Sequence, residues 1–149
     1  MTMNQEKPEM LETVHHEDWN SAVFSPYVPA IRVAKGTLVF MSGMLAAPVY
    51  HDHPHRPEVF DAIPRDIEGQ TRILFENLDL TLKAAGCQRE HIIQLMRFFT
   101  DVATDQDFVN QFQAEGFRGH IPTSTSVEVK RLATDPRLRL EIQAIAVAP

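Results

Sequence analysis

Ile121-Pro122-Thr123-Ser124-Thr125-Ser126-Val127-Glu128-Val129-Lys130-Arg131-Leu132 alternates polar and apolar side chains. Residues on a strand change face at every step, so Ser124, Ser126 and Glu128 share one face and Thr125, Val127 and Val129 the other. One polar and one apolar face describe a half-buried strand. A short turn, Ala133-Thr134-Asp135-Pro136, leads into residues 137–147, where Leu138, Leu140, Ile142, Ala144 and Ala146 fall on one face. The two runs read as a hairpin.

Upstream, Ala30-Ile31-Arg32-Val33-Ala34 and Thr37-Leu38-Val39-Phe40-Met41-Ser42-Gly43 flank a Lys35-Gly36 turn and read as a second hairpin. Residues 44–65 hold Pro48, Pro54, Pro57 and Pro64, which cannot donate ladder hydrogen bonds, so a long loop is expected. Ile67, Thr71, Leu74, Leu78, Leu82 and Ala85 recur at helical spacing behind Asp66, a suitable N-cap, with Gly86 as the stop. Ile92-Ile93-Gln94-Leu95-Met96-Arg97-Phe98-Phe99-Thr100 has apolar residues on both faces, which predicts a central strand. Thr104 and Asp107 have capping-box spacing and predict a second helix, on Phe108, Val109 and Phe112, ending near Gly116 or Gly119. Residues 1–20 are polar and acidic and read as a partly ordered arm, with Trp19 and Phe24 docking it onto a single domain over 21–149. The order ββαβαββ, with both helices on one face of the strands, is an α+β layer arrangement.

The 149 residues suit one domain, and 44% hydrophobic with 23% charged residues is a globular composition. A net charge of −6 opposes a nucleic-acid partner, because phosphate binding needs a basic surface. Cys87, the single cysteine, excludes an intrachain disulfide and is expected to serve as packing or surface filler. The start of the chain has neither a cationic segment nor an apolar run, and no stretch is long and apolar enough for a bilayer, so a cytoplasmic location with no membrane partner is expected.

Ser25-Pro26-Tyr27, Val39-Phe40-Met41-Ser42-Gly43, Asp66-Ile67-Glu68-Gly69-Gln70-Thr71, Ala84-Ala85-Gly86, Ser126-Val127-Glu128-Val129-Lys130-Arg131-Leu132 and Leu140-Glu141-Ile142-Gln143-Ala144-Ile145-Ala146-Val147 together resemble the RidA family, also called YjgF/YER057c/UK114. The likeness runs in the family's order over about residues 25 to 147. It implies a chorismate-mutase-like α+β fold, a mixed β-sheet with two helices on one face, and a homotrimer with a central barrel and ligand clefts between subunits. It also implies hydrolysis of reactive enamines and imines to a keto acid and ammonia, with no cofactor and no metal. In active members an arginine within Pro-Ala-Arg-Ser grips the substrate carboxylate, and a last-strand glutamate positions water. Glu141 matches that glutamate, Tyr27 the family tyrosine and Ser42 the serine before the glycine, while Ser126 stands where a backbone amide is contributed. Ser124 stands where the arginine should be.

That exchange weakens a carboxylate anchor. A bidentate charged pair contributes about 1.5–3 kcal/mol, and more where it is desolvated, against about 1 for a hydroxyl, so in a desolvated cleft a carboxylate substrate would lose roughly 10 to 100-fold in affinity or more. The expected substrate is therefore a small imine, enamine or related unsaturated metabolite other than 2-aminoacrylate, with Glu141 and Ser124 as catalytic residues and Tyr27, Ser42, Ser126 and Arg97 as substrate-binding residues. Arg97 could replace the lost cation, although period two aims it with Ile93, Leu95 and Phe99. The competing reading for Glu141 is an ion pair with Arg139 or Arg131. A Ser124–His120–Glu141 triad lacks a nucleophile-elbow motif. His51, His53 and His55 alternate as metal ligands would, but Pro54 interrupts them and the segment reads as a polar loop. The other function classes open to this sequence are a non-catalytic trimer binding metabolites or partner proteins, and a lyase or hydrolase on the same scaffold.

Overall fold

The computed structural model describes residues 10–149, so the first nine residues of the expected arm lie outside it. The strands are β1 (Leu11–Val14), β2 (Ala30–Val33), β3 (Thr37–Phe40), β4 (Ile92–Phe99), β5 (Thr123–Glu128) and β6 (Leu140–Ala148); the helices are α1 (Ile67–Ala84) and α2 (Val102–Gly116). Asp66 caps α1 by accepting the Gly69 N–H at 2.9 Å, and Gly86, at φ +72°, ends it, as the sequence predicts. Leu74, Phe75, Leu78 and Leu82 from α1 and Val109 from α2 pack with Leu95, Phe99, Leu140, Ile142 and Ala144 in one core. Both helices thus cover the same face of the sheet, and Cys87 is buried beside them.

The main sheet has the order β3-β6-β4-β5, which makes β4 interior, as expected. Neither hairpin forms. β2 pairs with β1 in a separate two-stranded ribbon, and β3 pairs with β6. Gly36 explains the change of partner: at φ +113° it lies so close to β6 that an added Cβ would sit 2.8 Å from the Ala148 carbonyl oxygen. The turn therefore delivers β3 to the β6 edge instead of folding it back on β2. Likewise β5 runs parallel to β4 after the α2 crossover, with Leu95 opposite Ser124 and Arg97 opposite Ser126. β6 lies between β3 and β4, antiparallel to both. Local patterning predicted β2 to β6 but carried no information on their partners.

The start of α2 also differs from expectation. Asp101, not Thr104, is the N-cap; its carboxylate accepts the Thr104 N–H at 3.2 Å, so the helix opens three residues earlier. Part of the expected arm, Leu11–Val14, is a strand whose Leu11 packs with Met10 and Val147. Trp19 and Phe24 do not dock: they are 59% and 69% exposed, and Trp19 stacks on His15.

Two polar clamps fix the loops that frame the sheet. Gln70 donates to the Pro64 and Arg137 carbonyls and accepts the Arg139 N–H at 2.7 Å, which satisfies a side chain only 1% exposed. Asn77 donates to the Leu45 and Ala47 carbonyls at 2.8 and 2.9 Å, holding the loop after Gly43 against α1.

Candidate active site

Register divides the residues named from sequence between the two faces of the sheet. Directly opposed residues share a face, and Ser124 opposes Leu95 while Ser126 opposes Arg97. Leu95 is fully buried under the helices, so both serines point into the helix layer, and Val127, at 38% exposure, points away from it. The polar face of β5 is thus the inward one, the reverse of a simple hydrophobic-in pattern. Arg97 accounts for this: buried beneath α2, it donates to Ser126 Oγ at 2.9 Å, Asn110 Oδ1 at 2.8 Å and Gln113 Oε1 at 3.3 Å. Burial lowers its pKa to about 10, and its guanidinium lies over the Phe99 ring. It is a core arginine held by neutral acceptors and does not line the cavity that holds Glu141.

Glu141 opposes Phe98, one step out of phase with Leu95, and so faces away from the helices. There it lines a cavity of about 420 Å³ with Ser42, Gly43, Phe98, Val129, Arg131, Leu132, Ala133 and Gln143. Desolvation raises the Glu141 pKa above the ordinary 4.5. Neither proposed ion pair forms among the described residues. Arg139 is taken by Asp105 through Nε and a terminal nitrogen at 2.9 and 2.8 Å, and Arg131 donates to the Leu132 and Ala133 carbonyls. The approach of Gly43 gives the carboxylate its place: a Cβ there would land on it, 2.7 Å from Cδ. Reciprocal backbone hydrogen bonds between Met44 and Ile142, at 2.7 and 3.0 Å, fix that approach.

Within the chain, Ser42 and Glu141 meet, whereas Ser124, Ser126 and Tyr27 lie elsewhere. Tyr27 is 53% exposed in grooves with His15, Trp19 and Val23, and its segment docks on β5 through Val28 N–H to the Pro122 carbonyl. The serine triad does not assemble: His120 is bonded through Nε2 to the Ile92 carbonyl, and Ser124 is on the wrong face for Glu141. Arg131 is a cation on the wall of the Glu141 cavity that the resemblance does not point to. Counting in twos from Val127 through Val129 places it opposite in phase to Ser124, a signal present in the sequence. A larger groove, of about 740 Å³, contains none of the predicted residues; its Arg89 is spent on Asp79, at 2.7 and 2.9 Å, and on the Gly116 carbonyl. In the loop, His51, His53 and His55 lie together, and desolvation followed by its two histidine neighbours lowers the His55 pKa.

The family model described as Endoribonuclease L-PSP matches residues 20–148. The chain is 34% identical over 125 residues to the putative reactive intermediate deaminase TdcF of Escherichia coli K12, covering 82% of this chain and 86% of that protein. It is 31% identical over 134 residues to the protein DfrA of Myxococcus xanthus, covering 89% and 93%. Its fold matches that of YyfB of Yersinia pestis, a Rid family protein, with a TM-score of 0.74, 19% identity and coverage of 92% and 98%. The order of strands and helices, the last-strand glutamate beside Ser42-Gly43 and a match spanning nearly all described residues converge on one conclusion: this chain belongs to the Rid (RidA/YjgF) family.

Proposed function

We propose that this protein hydrolyses a small imine or enamine to a carbonyl compound and ammonia, with Glu141 activating the water. The observation that carries the reading is a half-buried carboxylate with a raised pKa and no ion-pair partner among the described residues, facing a cavity walled by Ser42, Gly43 and Phe98. Such a group takes a proton from water as oxygen attacks the C=N carbon, then returns it to nitrogen as the carbinolamine collapses and ammonia leaves. The name of TdcF, a reactive intermediate deaminase, points to the same chemistry. Position 124 offers only a hydroxyl on the helix side, so a substrate carboxylate would be held instead by Arg131, the cation on the wall of the Glu141 cavity. The family model's endoribonuclease description is the less favoured reading, because a net charge of −6 repels RNA.

The reading includes a homotrimer. In one chain Glu141 and the Tyr27–Ser124 region lie apart, and the sheet face opposite the helices is only partly covered, with Leu38 50%, Phe40 71% and Val127 38% exposed on it. Packing that face against two other copies would bury these side chains and close the Glu141 cavity with a neighbour's residues. A cytosolic setting suits the reading, and no described helix is long and apolar enough to cross a membrane.

The test is ammonia release from freshly generated iminopropionate and from a neutral imine of similar size. Glu141→Gln is expected to lose about 10²–10⁴-fold in kcat on both. Arg131→Met is expected to raise KM about 10-fold or more for iminopropionate only. No ammonia release above background from either compound would move the protein to the metabolite-binding class.

A further inference from the structure

His51, His53 and His55 occupy five consecutive residues of the proline-rich loop, Tyr50 to Phe60, and their rings gather on one spot. Ring centroids are 4.9 Å apart for His51 and His53, 5.0 Å for His51 and His55, and 4.5 Å for His53 and His55. One nitrogen from each lies within 4.8 Å of the other two. An ion bound at about 2.0–2.1 Å from tetrahedral nitrogen ligands holds them about 3.4 Å apart, so small side-chain rotations bring all three into a coordination shell.

Three further observations separate this cluster from an ordinary polar loop. First, the Nε2 atoms of His51 and His55 are shielded from solvent and have no hydrogen-bond partner. A buried nitrogen of that kind ordinarily finds a donor, an acceptor or a metal. Second, His51 Nδ1 is 2.7 Å from the Pro48 carbonyl oxygen. A carbonyl only accepts, so the proton resides on Nδ1 and the Nε2 lone pair is free, the tautomer that metal-binding histidines obtain from such a partner. Third, Phe60, 1% exposed, presents its face or edge to both His51 and His55, at 5.3 and 5.8 Å, forming an apolar floor. His53 is on the exposed side and leaves the opening through which an ion and its waters would enter.

We propose that His51, His53 and His55 form a three-histidine site for a divalent transition-metal ion of borderline softness, zinc foremost, with the remaining position open to water. Neutral imidazoles suit zinc, cobalt, nickel or copper, whereas calcium and magnesium require oxygen ligands that this cluster lacks. The inference is independent of the hydrolytic reading, because it concerns other residues on another segment. The two share an apolar support: Phe60 under the histidines and Leu132 on the wall of the Glu141 cavity belong to one cluster, against which Phe98 packs.

The experiment uses untagged, chelator-stripped full-length protein, titrated with Zn²⁺ against a chromogenic chelator, and separately with Co²⁺ while its visible absorption is recorded. One equivalent of Zn²⁺ per chain is expected, and Co²⁺ should give the intense bands of four- or five-fold coordination. His51→Ala, His53→Ala and His55→Ala should each weaken Zn²⁺ binding by at least about tenfold, with unchanged circular dichroism. His53 is exposed, so its variant carries little risk of misfolding. A His15→Ala/His16→Ala variant should bind as the parent does. Zn²⁺ affinity retained in the triple loop variant, or lost in the His15/His16 variant instead, would overturn the assignment, as would the absence of saturable binding.

Discussion

Glu141, the proposed base, owes its position to two neighbours that differ in kind. Gly43 lets the backbone come close enough for the carboxylate to lie over it, and the Met44–Ile142 hydrogen bonds make that approach rigid. Gly43→Ala should displace the carboxylate and lower kcat by about 10²-fold while leaving the fold intact, a split read by assay and circular dichroism. The raised pKa of Glu141 has consequences of opposite sign for activity and stability. As a base it must be ionised, so activity should fall as pH drops through its elevated pKa, with the acid limb above the ordinary carboxylate range. For stability, the fold penalises the charged form, so the contribution is full below the unfolded pKa and is lost as pH rises through the folded one. Glu141→Gln should therefore melt slightly above the parent at pH 8, and the gap should close below pH ~4.

At the scale of elements, ion pairs matter where they join parts that the chain does not connect. Asp105 on α2 is fully buried and grips Arg139, just ahead of β6, with two hydrogen bonds. Arg139 in turn presents its backbone N–H to Gln70 of α1, so one residue couples both helices to the strand bearing Glu141. Asp105→Asn leaves that guanidinium unpaired and should cost about 3 kcal/mol, a fall in Tm of roughly 6–12 °C. Glu68 and Arg72 form an exposed pair within α1, and Glu68→Ala should change stability by less than about 1 kcal/mol. Thermal melts of the two variants side by side test the contrast.

For the whole molecule, Glu141 lies on one face of the sheet while Tyr27 lies in a separate groove. In the proposed trimer, a cleft takes Glu141 from one copy and Tyr27 from the next. Neither Glu141→Gln nor Tyr27→Ala subunits would then hold an intact cleft alone. Co-refolding the two variants in equal amounts should restore about a quarter of parental activity, the share of clefts left intact by random association. Mixed samples no more active than the separate variants would show that the cleft is not shared in this way. Light scattering checks the assembly: one species of three chains is expected.

Much of this arrangement was present in the order of residues. Asp66, the spacing from Ile67 to Ala85 and Gly86 fixed α1; apolar residues on both faces marked β4 as interior; alternation along β6 set Glu141 apart from its buried neighbours. Each of these depends on a period of two or 3.6, which the chain carries locally. Pairing is different, because a strand's partner and direction depend on hydrogen bonds to residues far away in the chain. Only the tertiary structure decided that β5 lies parallel to β4, that β6 enters between β3 and β4, and that Ser124 therefore turns its back on Glu141. The histidine loop makes the same point in space: its residues were visible as ligand types, but their convergence over Phe60 required the folded loop around them.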